Sequence, residues 1–349
     1  MKGFYGLAER ALALEKAGKK IVRLNVGDTN LPTPQCAIEA ALASLEEERA
    51  GYCPAAGLPG LREAIAKREG CEPSEVVVGP GSKLLIYGLM SMLCKQGDAI
   101  SFPSPYWPMY ELAARQLGLE AKAPESSMED GWAFDPADID GNKLTIICNP
   151  LNPTSTIYDE KLVQEAIGRC QEENSFLLLD EAYKALAFDK LPRYEGAIRV
   201  RSFSKEFNME GWRLGYAVVP EHIAEKLTAF LQITATCTAP FVQKAGIACL
   251  ENEKGIIAGN LKVWRSRSAV AAKALSENGF RFAKPEAGIY IFATHDGIKD
   301  SEKYATELME KEGIVVSPGS SFGGYTDFIR ICVNQPEDAL MDAITRMSP

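Results

Sequence analysis

The chain has 349 residues, 46% of them hydrophobic and 24% charged, with a formal net charge of −9. That length and apolar content suffice for a large core and two domains, and an acidic balance with no basic block argues against a nucleic-acid surface and for small-molecule partners. No apolar run approaches the roughly 20 residues of a membrane span, and the N-terminal stretch lacks a signal peptide's apolar core, so a cytoplasmic protein with no membrane association is expected. The nine cysteines are scattered, odd in number and without a Cys-x-x-Cys, which reads as reduced thiols. His222 and His295 are the two histidines, and neither has a metal-ligand neighbour at useful spacing, so neither a metal site nor a Ser-His-Asp triad is expected.

From about residue 76 to 219, short apolar runs alternate with helix-length amphipathic segments. The runs are Val76-Val77-Val78, Ala99-Ile100-Ser101-Phe102, Leu144-Thr145-Ile146-Ile147-Cys148, Phe176-Leu177-Leu178-Leu179, Ile198-Arg199-Val200 and Tyr216-Ala217-Val218-Val219. Continuous apolar strands separated by helices predict an α/β fold with a mostly parallel sheet covered on both faces, whose ligands bind beyond the strand ends. After Pro240 the apolar spacing turns helical through Ile256, Ile257, Leu261, Trp264, Val270 and Leu275. A smaller α+β unit follows, with strands at Ile289-Tyr290-Ile291-Phe292, Ile314-Val315-Val316 and Phe328 to Val333, and a helix over 301–312.

Three polar motifs follow the strands directly and should converge: Gly79-Pro80-Gly81-Ser82-Lys83, Asn149-Pro150-Leu151-Asn152-Pro153-Thr154 and Asp180-Glu181-Ala182-Tyr183. A fourth is the run Ser202-Phe203-Ser204-Lys205-Glu206-Phe207-Asn208-Met209-Glu210-Gly211-Trp212-Arg213. A lysine that forms a Schiff base must lose its proton near neutral pH, and desolvation with a neighbouring cation such as Arg213 promotes that. Hydroxyls and a guanidinium beside it suit a phosphate, and together these ligands suggest pyridoxal phosphate. The glycine turn at Gly81 opens a helix near Leu84 and offers backbone N–H groups to an anion, but it lacks the third glycine of a dinucleotide loop and the Gly-Lys-Ser/Thr of a P-loop. Asp180 ends an apolar strand, where a charge needs a partner or serves as a helix N-cap. Asn152 suits an Asn-Pro turn as well as a ligand contact. Arg330 is a cation between two apolar pairs, matched either by a substrate carboxylate or by an internal salt bridge.

As an ordered set spanning nearly the whole chain, these motifs resemble the class I/II aminotransferases of the pyridoxal-phosphate (PLP) fold type I superfamily. The resemblance implies a large PLP-binding domain over 45–244 and a small domain built from both ends, 1–44 and 245–349. It makes Lys205 the Schiff-base lysine and proton shuttle, and Asp180 the partner of the pyridine nitrogen. Tyr183 and Asn152 become donors to the phenolic oxygen, while Gly81, Ser82, Lys83, Ser202, Ser204 and Arg213 become the phosphate site. Trp107 is then the aromatic stacked on the ring, with Tyr106 its alternative. Tyr52 would reach into a neighbouring subunit, implying a homodimer, and Arg330 with Gly27 and Asn152 would receive the substrate α-carboxylate. Two departures stand out: Ser155 occupies the usual glycine position after Asn-Pro-Thr, leaving the loop geometry open, and the stretch from Asp180 to Lys205 is short, with 186–197 as the trimmed part. The expected function is transfer of an amino group between an L-amino acid and a 2-oxo acid, with glutamate and 2-oxoglutarate as one pair. A β-eliminating PLP lyase and a non-catalytic PLP or amino-acid sensor are the alternatives.

Overall fold

The structure, a computed structural model, describes residues 4–47 and 51–348. Residues 1–3, 48–50 and 349, which the expected domain split took in, lie outside the described residues. Strand β1 (Val22–Arg23) stands near the N-terminus, and seven strands make the main sheet: β2 (Val76–Gly79), β3 (Ala99–Ser101), β4 (Glu120–Lys122), β5 (Leu144–Cys148), β6 (Phe176–Asp180), β7 (Ile198–Ser202) and β8 (Gly215–Val218). Their order is β2-β8-β7-β6-β5-β3-β4. Neighbours from β7 to β4 run parallel, whereas β8 is antiparallel to both β2 and β7. Every residue of β2, β5, β7 and β8 is buried, as a sheet covered on both faces requires, and the buried Arg199 and Arg201 of β7 are paired with Glu69. Strand β4 is the exception, a fully exposed Glu-Ala-Lys edge whose charges discourage further pairing; it carries no apolar run and is not among the strands expected above.

Helices α1 (Phe4–Lys16), α2 (Gln35–Glu47), α3 (Pro59–Glu69), α4 (Ser82–Leu93), α5 (Met109–Leu117), α6 (Glu160–Glu172), α7 (Phe203–Glu206) and α8 (Glu221–Thr234) precede or interleave with these strands. After them come α9 (Pro240–Glu251), α10 (Glu253–Glu277), α11 (Ser301–Glu312) and α12 (Glu337–Thr345). The predicted helix over 301–312 is α11: Asp300 caps it by accepting from the N–H groups of Glu302 and Lys303, and Gly313 ends it in the left-handed conformation. Ala37 and Ala41 of α2 share a buried cluster with Leu61, Val76, Val78 and Phe203, so α2 packs on the main sheet's side of the molecule.

A second, antiparallel sheet has the order β12-β13-β10-β9, from β9 (Arg281–Phe282), β10 (Tyr290–Thr294), β12 (Ser317–Pro318) and β13 (Phe328–Cys332). Strand β11 (Ile314–Val315) pairs in parallel with β1, and Cys332 N–H donates to Leu24 O at 2.7 Å. The chain's N-terminal segment is thereby sewn to its C-terminal portion, which holds residues 25–30 over the end of the main sheet. Among the described residues, no helix is long and apolar enough to cross a membrane.

Candidate active site

Beyond the C-terminal ends of β5, β6 and β7 lies a cavity of about 210 Å³. It is lined by Gly27, Ser82, Lys83, Trp107, Asn152, Asp180, Tyr183, Ser202, Ser204, Lys205, Arg213 and Arg330, all singled out from sequence, and by Cys148, Ala182, Glu210 and Tyr290, which were not. Parallel strands carry their loops to this edge, so motifs distant in the chain meet there. Gly81 sits just behind the lining as the N-cap of α4. Tyr106 is buried with its hydroxyl on Glu111 at 2.9 Å, so Trp107 is the aromatic that faces the cavity.

One end of the cavity is built for an anion. The α4 N-terminus opens at Ser82 behind Gly81, whose φ is +87°; a Cβ there would lie 2.2 Å from Arg213 Nη2, so the guanidinium rests in space that only glycine leaves. Arg213 Nη1 donates to Ser204 Oγ at 3.4 Å and to Glu210 O at 2.8 Å, and Ser202 Oγ accepts from Ser204 N at 3.2 Å. Lys83 stands 5.2 Å from the Trp107 ring centroid, and burial, helped by Arg213, lowers its pKa. The cradle sits directly on the sheet: a Cβ on Gly215 would meet Ser82 N at 2.7 Å and Arg201 O at 2.9 Å.

At the other end, the last residue of β6 is a buried carboxylate. Asp180 Oδ2 accepts from Tyr110 OH at 2.6 Å and Oδ1 accepts from Ala182 N at 3.1 Å. The bond to Ala182 N makes the Asp-turn expected of an aspartate after a strand, so the capping and ligand readings hold together. Burial pushes the Asp180 carboxyl up to about 6, against the two hydrogen bonds that favour its charged form. A carboxylate held this way gains by meeting a cation in the cavity.

Lys205 lies on the one-turn helix α7, which Ser202 caps at the end of β7. Its Nζ donates to Gly27 O and stands 3.5 Å from Glu210 Oε1, and burial lowers its pKa while Glu210 opposes that. Behind it, on the far face of β7, runs a buried ionic chain. Glu206 accepts from Arg201 Nη2 at 2.5 Å and pairs with Arg68 at 2.8 Å, while Glu69 takes Arg199 at 2.5 Å, Arg201 at 3.0 Å and Tyr216 OH at 2.6 Å. This chain fixes the helix that bears Lys205 to α3 and the sheet. With Arg68, Arg199 and Arg201 beside it, Glu69 is held down at about 2 despite its burial.

Arg330, on β13, is 2% exposed and donates to Asn152 Oδ1 at 2.9 Å, Asn25 O at 2.7 Å and Ser317 Oγ at 3.3 Å, with its guanidinium 4.2 Å from the Tyr290 ring centroid. Asn152 Nδ2 donates to Tyr183 OH at 3.5 Å, and the Tyr183 and Tyr290 hydroxyls meet at 3.0 Å. The doubt over Ser155 resolves: its φ is +59°, the left-handed conformation a glycine would supply, and its O accepts from Glu286 N and Ala287 N. Its Oγ also accepts from Tyr290 N at 3.1 Å, a bond no glycine could make. The short 186–197 stretch meets the second sheet's approach loop through the Ala187–Ala287 bridge. Tyr52, by contrast, does not enter this cavity and is 91% exposed.

Tyr110, Tyr290 and Glu210 escaped the sequence reading. Tyr110 lies on a helix outside the polar motifs that follow the strands, and Tyr290 stood only as one residue of an expected strand. Glu210 stood in the lysine motif itself, and its acidity beside two cations was the available signal.

The chain matches the family model "Aminotransferase class I and II" over residues 19–347. It is 34% identical to an aspartate aminotransferase of Thermococcus kodakarensis over 89% of this chain and 84% of that one, and 28% identical to a probable aspartate/prephenate aminotransferase of Aquifex aeolicus over 98% and 93%. Among solved structures, an aspartate aminotransferase from Thermotoga maritima superposes with a TM-score of 0.93 at 25% identity, covering 99% of this chain and 96% of that one. Fold, site and relatives agree, and the chain belongs to the class I and II aminotransferases.

Proposed function

We propose that this transaminase is a homodimer that uses pyridoxal phosphate held in the cavity between the α4 cradle and Asp180, and that it interconverts an L-amino acid and a 2-oxo acid. The observation that carries the reading is one cavity with an anion cradle at one end, a buried carboxylate at the other and the Lys205 amine between them. The residues fit the group: Gly81 leaves the space Arg213 occupies, the five hydroxyl or cationic side chains of Ser82, Lys83, Ser202, Ser204 and Arg213 line the phosphate end, and Asp180 lies buried opposite.

When bound, the cofactor supplies an aldehyde carbon for a Schiff base and a pyridinium ring that takes up electron density from the substrate α-carbon. Asp180, negative and buried, holds the ring nitrogen protonated. Tyr183 and Asn152 would donate to the phenolic oxygen, and Trp107 would stack against the ring and keep water out. Lys205, its pKa lowered by burial, would hold the cofactor as its covalent tether and, once released, serve as the base for the substrate α-carbon proton. Arg330 receives the α-carboxylate with its planar fork. The exposed ring of Tyr52 supports a role in a partner's cavity, the basis for the homodimer. Relatives named for aspartate make aspartate with 2-oxoglutarate the first pair to try.

The test is the visible absorbance of the protein reconstituted with pyridoxal phosphate, before and after single amino acids, with Lys205→Ala as control. Loss of the band on aspartate and its return on 2-oxoglutarate is expected. Release of pyruvate and ammonia would mark a lyase instead, and cofactor uptake with no response to any amino acid would overturn the enzymatic reading.

A further inference from the structure

Glu210 is, with Asp180, one of two acids in a cavity lined otherwise mainly by cations, hydroxyls and aromatic rings. Its Oε1 faces two ways: it accepts from Thr29 N at 2.8 Å and stands 3.5 Å from Lys205 Nζ. Lys205 in turn donates to Gly27 O, and Arg330 donates to Asn25 O at 2.7 Å. The backbone of 25–30 is therefore tied to three charged side chains of the cavity, Glu210, Lys205 and Arg330. The other titratable groups that act on the amine are Asp28 from this segment and Cys332 from β13, and Arg213 follows Glu210 in its own loop.

Resting on the reading of Lys205 as the Schiff-base lysine, we propose that Glu210 is a positioning residue for that lysine. Its carboxylate, together with Gly27 O, receives the Lys205 ammonium and docks it on the 25–30 segment whenever the amine is protonated and not covalently engaged. The proton balance is simple. When the free amine takes a proton from a substrate carbon it becomes an ammonium, Glu210 stays a carboxylate, and the two form an ion pair with no further proton transfer. When the proton is given back, the pair dissolves and the neutral amine is free to leave the segment. Glu210 thus ties two events, the charge state of the lysine and the seating of the strip of backbone beside the Arg330 carboxylate site, to one side chain. A buried ammonium with a carboxylate neighbour is favoured over the same ammonium facing only a carbonyl.

The two bonds can be separated by substitution. Glu210→Gln keeps an oxygen for Thr29 N and removes the charge, whereas Glu210→Ala removes both. The probe is pH-dependent competitive acetylation of the full-length, cofactor-free chain with acetic anhydride, read at Lys205 by peptide mass spectrometry. The expected result is a Lys205 labelling midpoint about one pH unit lower in Glu210→Gln than in the native chain, equivalent to roughly tenfold more labelling near neutral pH. Amide exchange at Thr29 should stay native in Glu210→Gln and accelerate in Glu210→Ala. A Lys205 profile unchanged in Glu210→Gln would overturn the proposal and leave Glu210 a purely structural anchor of Thr29. The parent reading fails separately: native protein that shows no Lys205-dependent visible band with pyridoxal phosphate would sink both, whereas a normal band with an unshifted labelling profile would sink this proposal alone.

Discussion

Ser155 offers a quantitative test of how the active-site loop is held. It is buried with φ +59°, and its Oγ accepts from Tyr290 N at 3.1 Å. A non-glycine residue in this left-handed region carries a cost of roughly 1–2 kcal/mol, and leaving a buried N–H without an acceptor costs about 1–3 kcal/mol. In Ser155→Ala the strain stays and the bond goes, so stability should fall by about 1–3 kcal/mol. In Ser155→Gly the bond also goes but the strain is relieved, so the net change should lie between a loss of about 2 kcal/mol and a gain of about 1 kcal/mol. The Gly variant should therefore be the more stable of the two by about 1–2 kcal/mol. Equilibrium urea unfolding at one protein concentration resolves this, since the proposed dimerisation would shift apparent stability by mass action. An alanine variant as stable as native would mean that the hydroxyl bond contributes nothing. A glycine variant weaker than the alanine one would mean that the backbone at 155 is not strained.

In the cofactor-free chain, Asp180→Asn should be more stable than native at pH 7.5 by on the order of 3 kcal/mol at most. The folded carboxyl is pushed up to about 6 by burial, so native stability declines as pH rises from about 4 to about 6 while the variant's does not. Parallel urea-stability curves across that window would refute the sign. Glu206→Ala strips the carboxylate from buried Arg201 and Arg68 and should cost about 3–5 kcal/mol in the same assay; a loss under about 1 kcal/mol would show that the ionic chain does not anchor α7. If Tyr52 completes a partner's site, mixing inactive Lys205→Ala subunits with crippled Tyr52→Ala subunits should restore about a quarter of native activity, because half the dimers are mixed and each mixed dimer holds one intact site. No recovery on mixing would mean that each cavity works with its own chain alone.

Most strands of the main sheet were readable because they are buried on both faces and so spell nearly continuous apolar runs, as Val76-Val77-Val78 and Leu177-Leu178-Leu179 do. Strand β4 was not readable, because an exposed edge is free of that constraint, and the reversed direction of β8 leaves no mark in composition. The convergence of Lys205, Asp180, Asn152 and the Gly81 turn followed from their places after parallel strands. What the sequence could not supply was contact across the fold. Tyr110 meets Asp180 from a helix 70 positions earlier, and Tyr290 reaches Tyr183 and Ser155 from the second sheet. Ser155 looked like a defect in the glycine pattern and proved to combine the glycine's conformation with a hydrogen bond of its own.

The placement of the anion cradle on Gly215 has a consequence for tolerance to change. Gly215 is paired with Gly79 on one side and Ser202 on the other, so the strand leading to the α4 turn and the strand leading to Lys205 are separated by two steps of a single ladder. Each step is about 4.8 Å, a spacing set by backbone hydrogen bonds. The sheet therefore acts as a fixed caliper for the distance between the grip on the phosphate and the tether of the amine. Insertions or trims in the surrounding loops, such as the short 186–197 stretch, leave that gauge untouched, whereas a single methyl group added at residue 215 would open it.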